Sequence, residues 1–173
     1  MSLESHRAES PSSARFAVLT ISDTRDLASD AGGALLVASL EAAGHRVVRR
    51  ELVRDEAAEI ERAVRGAVLD PDVDLVVTTG GTGIAPRDVT APTLERLFDS
   101  AIPGFGELFR WLSWREIGPA AILSRATAGL LAGKVVLALP GSPKALRLAL
   151  DEIVLKEVGH LVSQSRGPRP GPR

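Results

Sequence analysis

Short apolar runs alternate along the chain with stretches in which hydrophobic residues recur every three or four positions. Phe16-Ala17-Val18-Leu19-Thr20-Ile21 reads as a buried strand that ends at Ser22-Asp23. From Asp30 to Ala43, Leu36 and Leu40 stand one helical turn apart. Gly44 follows, the residue type that closes helices by entering the left-handed region. Arg46 to Leu52 sets Val47 among charged neighbours, the pattern of a strand near a sheet edge, and Ile60, Val64 and Val68 then mark one face of a helix broken by Asp70-Pro71-Asp72. Asp74-Leu75-Val76-Val77-Thr78-Thr79 is the most β-branched run, apolar on both faces as a central parallel strand must be. Lys134 to Leu139 repeats that pattern, and a last helix carries Leu146, Leu150, Ile153, Val154, Val158 and Leu161 on its apolar side. The alternation predicts an α/β fold, a three-layer α/β/α sandwich around a mostly parallel sheet.

Between Ile102 and Gly129 the pattern is less regular. Pro103-Gly104-Phe105-Gly106 opens a helix carrying Phe109, Trp111, Leu112 and Trp114. The two tryptophans are read as core or as the cover of a subunit contact rather than as a ligand stack. Residues 1–14 and 163–173 lack an apolar period and read as loose tails around one domain, residues 15–162.

Composition narrows the function. With 173 residues, 45% of them hydrophobic, the chain fits a single compact domain. Its 21 basic and 22 acidic residues are interspersed, so no field draws it to nucleic acid or to a membrane surface. Cysteine is absent, which removes disulfides, thiolate zinc sites and cysteine nucleophiles. No apolar run reaches the roughly 20 residues of a membrane span, and a cytoplasmic protein is expected.

In an open parallel sheet, ligands bind where the carboxyl ends of strands meet the loops that follow. Small and acidic residues stand at four such places: Ser22-Asp23-Thr24, Asp55, the loop Gly80-Gly81-Thr82-Gly83 with Asp88, and Pro140-Gly141-Ser142-Pro143-Lys144. Glycines after a buried strand let backbone N–H groups approach phosphate oxygens. By spacing alone they equally describe a tight turn. A dinucleotide fingerprint would need glycine where Pro86 stands, and Gly129 to Val135 is one residue short of a Walker loop. Asp88 and Asp55 each stand where a helix can begin, and each could instead help to hold magnesium, which takes one or two carboxylates. The residues leave both readings open.

His6, His45 and His160 fall in a tail, a turn and the terminal helix, away from the loops, so no histidine general base is expected. Nucleotidyl transfer to a phosphate needs none, because a phosphate monoester with a second pKa of about 6 is already a dianion at neutral pH. Positioning and charge neutralisation then supply most of the catalysis.

Four segments in order, Thr78-Thr79-Gly80-Gly81-Thr82-Gly83 with Arg87-Asp88-Val89-Thr90, Ile102 to Glu107, Leu123-Ser124-Arg125 with Ala128-Gly129, and Leu139 to Ala145, resemble the motifs of the molybdopterin-binding MoaB/Mog family. The resemblance spans about residues 15–162 and implies a homotrimer or homohexamer in molybdenum cofactor biosynthesis. It implies adenylylation of the terminal phosphate of molybdopterin by Mg-ATP with release of pyrophosphate, or else binding and delivery of molybdopterin without transfer. Carried over by motif, Asp55 and Asp88 match the catalytic carboxylates, Asp88 also as a magnesium ligand. Gly80, Gly81, Thr82 and Gly83 match the loop against the nucleotide and pterin phosphates. Ser124 and Arg125 match the pair lining the pterin side; Gly141, Ser142 and Lys144 lie in the Pro-Gly-Ser-Pro loop; Asp23 and Asp30 match acidic positions after the first strand. Two departures stand out. Asp30-Ala31-Gly32-Gly33 lacks the serine of the usual Asp-x-Ser-Gly, and Ala91-Pro92 replaces Pro-Glu after Thr90.

Overall fold

A computed structural model describes residues 10–166. The chain folds as β1 (Arg15–Ile21), α1 (Ala31–Ala42), β2 (Arg46–Val53), α2 (Ala57–Leu69), β3 (Leu75–Thr79), α3 (Thr90–Leu97), β4 (Ser100–Ala101), α4 (Pro103–Ile117), a 3-10 segment (Gly118–Leu123), β5 (Thr127–Leu131), β6 (Lys134–Leu139), α5 (Pro143–Ala149) and α6 (Leu155–Ser165). A π turn over Leu150–Val154 joins α5 to α6, so the final helix is continuous but locally widened. The six strands form one sheet in the order β2-β1-β3-β6-β5-β4. The β1 strand pairs in parallel with β2 and β3, and β3 with β6, whereas β5 runs antiparallel to both β6 and β4.

The two-residue period of the central strands builds two cores. Phe16, Val18, Leu75, Val77, Leu137 and Leu139 face Leu36 of α1, Phe109 of α4 and Leu146 of α5. Ala17, Leu19, Val76, Val136 and Ala138 face Ile60 and Val64 of α2 and Leu94 of α3. That is the three-layer sandwich the pattern predicts, with β2 at the edge and β3 fully buried at the centre. Gly44 ends α1 at φ +84°, also as expected.

The β5–β6 hairpin was not in the pattern. Its turn is Ala132-Gly133, both at positive φ (+50° and +73°), the backbone shape of a tight primed turn. Asp99 holds it by accepting the Ala132 amide at 2.7 Å.

Some residues of the segments expected as tails take part in the fold. Ser13 donates from its hydroxyl to the Gly44 carbonyl at 2.8 Å, Ala14 is buried, and the last helix runs on to Ser165. The rest of the expected tails, residues 1–9 and 167–173, lies outside the described residues. Trp111 and Trp114 are more than half exposed, so neither belongs to the core of this chain. No helix among the described residues is long and apolar enough to cross a membrane.

Candidate ligand-binding crevice

The carboxyl ends of β2, β1, β3 and β6 lie side by side, and this adjacency brings the four loops together. Thr79 donates from its hydroxyl to the Pro140 carbonyl at 3.0 Å, and the Gly80 amide donates to Leu139 at 3.1 Å. The glycine loop is thereby fastened to the Pro140–Lys144 loop. Between them opens a crevice of about 450 Å³ lined by Gly80 to Gly83, Asp88, Ser124, Gly141 and Ser142 on its polar side. Phe109, Ile117, Ala120, Ala121 and Ala145 make its apolar wall. A second hollow of about 520 Å³, along β2 and α2, holds none of the predicted residues.

The glycines answer first to packing. A Cβ on Gly80, at φ +106°, would stand 2.4 Å from the Ile21 carbonyl oxygen, and one on Gly81, at φ +65°, 2.2 Å from Thr90 Oγ1. Only glycine fits either place without displacing its neighbours. The loop so formed leaves the amides of Gly81, Thr82 and Gly83 with no acceptor among the described residues. Successive unpaired amides beside a crevice are an anion cradle.

The acidic residues divide into two kinds. Asp88 closes the loop by accepting the Ala85 amide at 2.9 Å and lines the crevice. Asp55 Oδ1 is buried without a hydrogen-bond partner, and so is Thr90 Oγ1. Both atoms crowd the Cα of Gly81, since a Cβ there would stand 3.1 Å from that carboxylate oxygen. Burial raises the Asp55 carboxyl above the ordinary carboxylate range, repulsion from Asp88 adds to it, and the Val89 amide partly opposes both. A buried carboxylate whose charge is disfavoured by a neighbouring carboxylate, and whose oxygen has no hydrogen-bond partner, fits a cation. No group of three or more metal-binding side chains occurs among the described residues.

Asp23 and Asp30 do other work. Asp23 accepts the Asp55 amide at 3.1 Å and pairs with Arg87, tying together the loops after β1, β2 and β3. Asp30 is sealed, 1% exposed, and does not line the crevice. It caps α1 by accepting the Gly33 amide at 2.8 Å, accepts Thr20 Oγ1 at 2.8 Å, and pairs with Arg50 at 3.0 Å. A Cβ at Gly33 would stand 2.1 Å from Asp30 Oδ2, so the glycine pair after Asp30 is part of the same capping arrangement.

Two basic residues also differ from expectation. Arg125 donates from Nε to the Gly83 carbonyl at 2.7 Å and from Nη2 to the Asp88 carbonyl, holding the glycine loop from behind instead of presenting its charge to the crevice. Lys144 is exposed and pairs with Glu116 at 3.3 Å. Ser142 caps α5 by accepting the Ala145 amide at 3.2 Å while lining the crevice. Sequence reasoning missed Ser113, which lines the crevice from α4. Its signal was present: Phe105, Phe109 and Ser113 stand four apart, so a hydroxyl interrupts a buried stripe.

A doubly wound sheet with unpaired loop amides, two neighbouring carboxylates and an apolar wall at its switch point defines a small-ligand-binding domain of the α/β class. Residues 17–160 match the family model described as "Probable molybdopterin binding domain". The chain is 44% identical over 167 residues to molybdenum cofactor biosynthesis protein B of Bacillus subtilis, covering 96% of this chain and 98% of that one. To the protein of that name from Halalkalibacterium halodurans it is 46% identical over 165 residues, covering 95% and 97%. Among solved structures, a molybdenum cofactor biosynthesis protein B superposes with TM-score 0.89 at 44% identity, over 92% of this chain and 100% of the other. The tungsten cofactor synthesizing protein MoaB of Pyrococcus furiosus gives TM-score 0.81 at 38% identity, over 90% and 99%. The chain belongs to the molybdopterin-binding domain family of molybdenum cofactor biosynthesis.

Proposed function

We propose that the protein is a molybdopterin adenylyltransferase. The carrying observation is the juxtaposition of three unpaired loop amides with Asp88, which lines the crevice, and with the orphaned carboxylate oxygen of Asp55, which lies buried against Gly81 and does not itself line the crevice. An oxygen of the terminal phosphate of molybdopterin attacks the α-phosphorus of ATP, the bond from that phosphorus to the bridging oxygen breaks, and pyrophosphate leaves. The Gly81–Gly83 amides hold phosphate oxygens in line, and Asp23 and Arg125 keep the loops that carry the reacting groups in register. Asp55 and Asp88 would hold magnesium, which supplies neutralisation of phosphate charge when bound. No proton need be taken by a protein base, because the attacking phosphate is already ionised.

Position 92 favours a second reading. Pro92 stands where the resemblance places a glutamate, so one carboxylate near Asp88 is missing, and a protein that binds and delivers molybdopterin without transfer would tolerate that loss. Calorimetry separates the two. A transferase binds Mg-ATP and molybdopterin, and Asp88→Ala weakens the nucleotide more than the pterin; a carrier binds molybdopterin alone.

A homotrimer or hexamer belongs to the same reading. Leu108, Trp111 and Trp114 are large apolar side chains exposed three residues apart along α4. A second copy covers them in our reading, and light scattering of Trp111→Glu, expected to show monomer, checks it.

A further inference from the structure

Among the described residues, Thr90 Oγ1, Thr93 Oγ1, Asp55 Oδ1 and Arg50 Nε are the buried side-chain atoms without a hydrogen-bond partner. Buried polar groups are nearly always satisfied, so each orphan asks for a reason. Two of them stand together. A Cβ on Gly81 would stand 2.2 Å from Thr90 Oγ1 and 3.1 Å from Asp55 Oδ1, so a hydroxyl able to donate and a carboxylate oxygen able to accept lie against one Cα without meeting. Thr90 is wholly buried and opens α3, and its amide donates to the Gly81 carbonyl at 3.1 Å. The amide of Gly81 itself is one of the three unpaired ones beside the crevice. Three unsatisfied groups thus rest on the backbone of a single glycine.

An anion held by the Gly81 amide pulls on the peptide against which both orphans are packed. We infer that Thr90 is a positioning residue: when phosphate oxygens engage the Gly81 to Gly83 amides, its hydroxyl donates to Asp55 Oδ1 and fixes that carboxylate beside the loop. Burying donor and acceptor apart is unfavourable, and joining them removes both costs at once, so the hydrogen bond adds to the affinity for the anion. Thr90 touches no ligand; it acts through Asp55. The inference rests on the reading of the loop as a phosphate cradle. Thr93 supplies a contrast within the same helix, because its hydroxyl is equally buried and orphaned but is not among the nearest neighbours of Gly81.

The test titrates the full chain with inorganic pyrophosphate by calorimetry, without added metal, for wild type, Thr90→Val, Thr90→Ser and Thr93→Val, and records the unfolding temperature of each ligand-free protein. Valine keeps the shape of threonine and removes the hydroxyl. Thr90→Val should weaken pyrophosphate about tenfold, the scale of one hydrogen bond to a charged group, with Thr90→Ser staying within about twofold of wild type. Its ligand-free unfolding temperature should not fall, because the hydroxyl removed has no partner in that state. Thr93→Val should leave pyrophosphate affinity unchanged. In an Asp55→Ala background Thr90→Val should have no further effect, since the acceptor is gone. Wild-type affinity of Thr90→Val overturns the inference. So does a tenfold loss that persists in the Asp55→Ala background, or an equal loss in Thr93→Val, because the hydroxyl would then act on the fold and not on Asp55. Failure of the wild-type protein to bind pyrophosphate overturns the phosphate-cradle reading, and the inference with it.

Discussion

Arg125 Nε donates to the carbonyl oxygen of Gly83 at 2.7 Å, and the same guanidinium reaches the Asp88 carbonyl. A planar fork spans two carbonyls of one loop, which a lysine cannot reproduce. Arg125→Lys should leave the unfolding temperature nearly unchanged and weaken Mg-ATP binding roughly tenfold or more, the scale of one charged hydrogen bond. Calorimetry checks it; an unaltered dissociation constant would show that the loop keeps its shape unaided.

Gly81 gives a sharper contrast. An alanine there meets both a positive φ and Thr90 Oγ1, and should destabilise by about 1–3 kcal/mol. Gly104, in the first turn of α4, has nothing within 4 Å of its missing Cβ, and Gly104→Ala should stabilise by about 0.5–1 kcal/mol. Urea unfolding of the two variants should shift the midpoint in opposite directions.

Much of the fold is legible in the sequence. The β-branched runs at Leu75–Thr79 and Lys134–Leu139 named the central strands because a parallel sheet covered on both faces leaves no polar alternation. The convergence of loops followed from strand ends alone. What escaped was direction and distance. A motif names Arg125 and Asp30 but not which way they point, and both turn into the protein. The β5–β6 hairpin escaped because Ala132-Gly133 lacks the usual turn chemistry. The hold on residues 13 and 14 escaped because its partners, Gly44 and His45, lie 31 residues away.

Asp30 separates structural from ligand roles. Burial alone would raise its carboxyl, but the Gly33 amide, Arg50 and Thr20 outweigh that and hold it below the ordinary range. Asp30→Ala removes a helix cap and leaves Arg50 without its partner, an expected cost of about 3 kcal/mol in denaturant unfolding. Molybdopterin affinity of the folded fraction should stay within about twofold; a large loss would return Asp30 to the binding site.

His45 should make the fold acid-sensitive. It is 7% exposed, its Nδ1 accepts the Ala14 amide at 3.3 Å, and burial lowers its pKa below 6.5. The fold therefore favours the neutral ring. Its contribution is complete above the unfolded value near 6.5 and is lost as pH falls towards the lower folded value, where the unfolded chain binds the proton first. Urea midpoints should drop between about pH 7.5 and about pH 5.5 in wild type and drop less in His45→Gln. Parallel curves for the two proteins would contradict this.

Transfer itself is followed most directly by label. With ATP carrying 32P at the α-phosphate, purified protein, magnesium and molybdopterin should yield labelled adenylylated pterin and pyrophosphate in equal amounts. Asp55→Asn, folded and still binding molybdopterin, should slow label transfer by about a hundredfold or more, the loss of one charge at the reacting phosphates. Bound molybdopterin with no label transferred by the wild-type protein would contradict the transferase and leave the carrier.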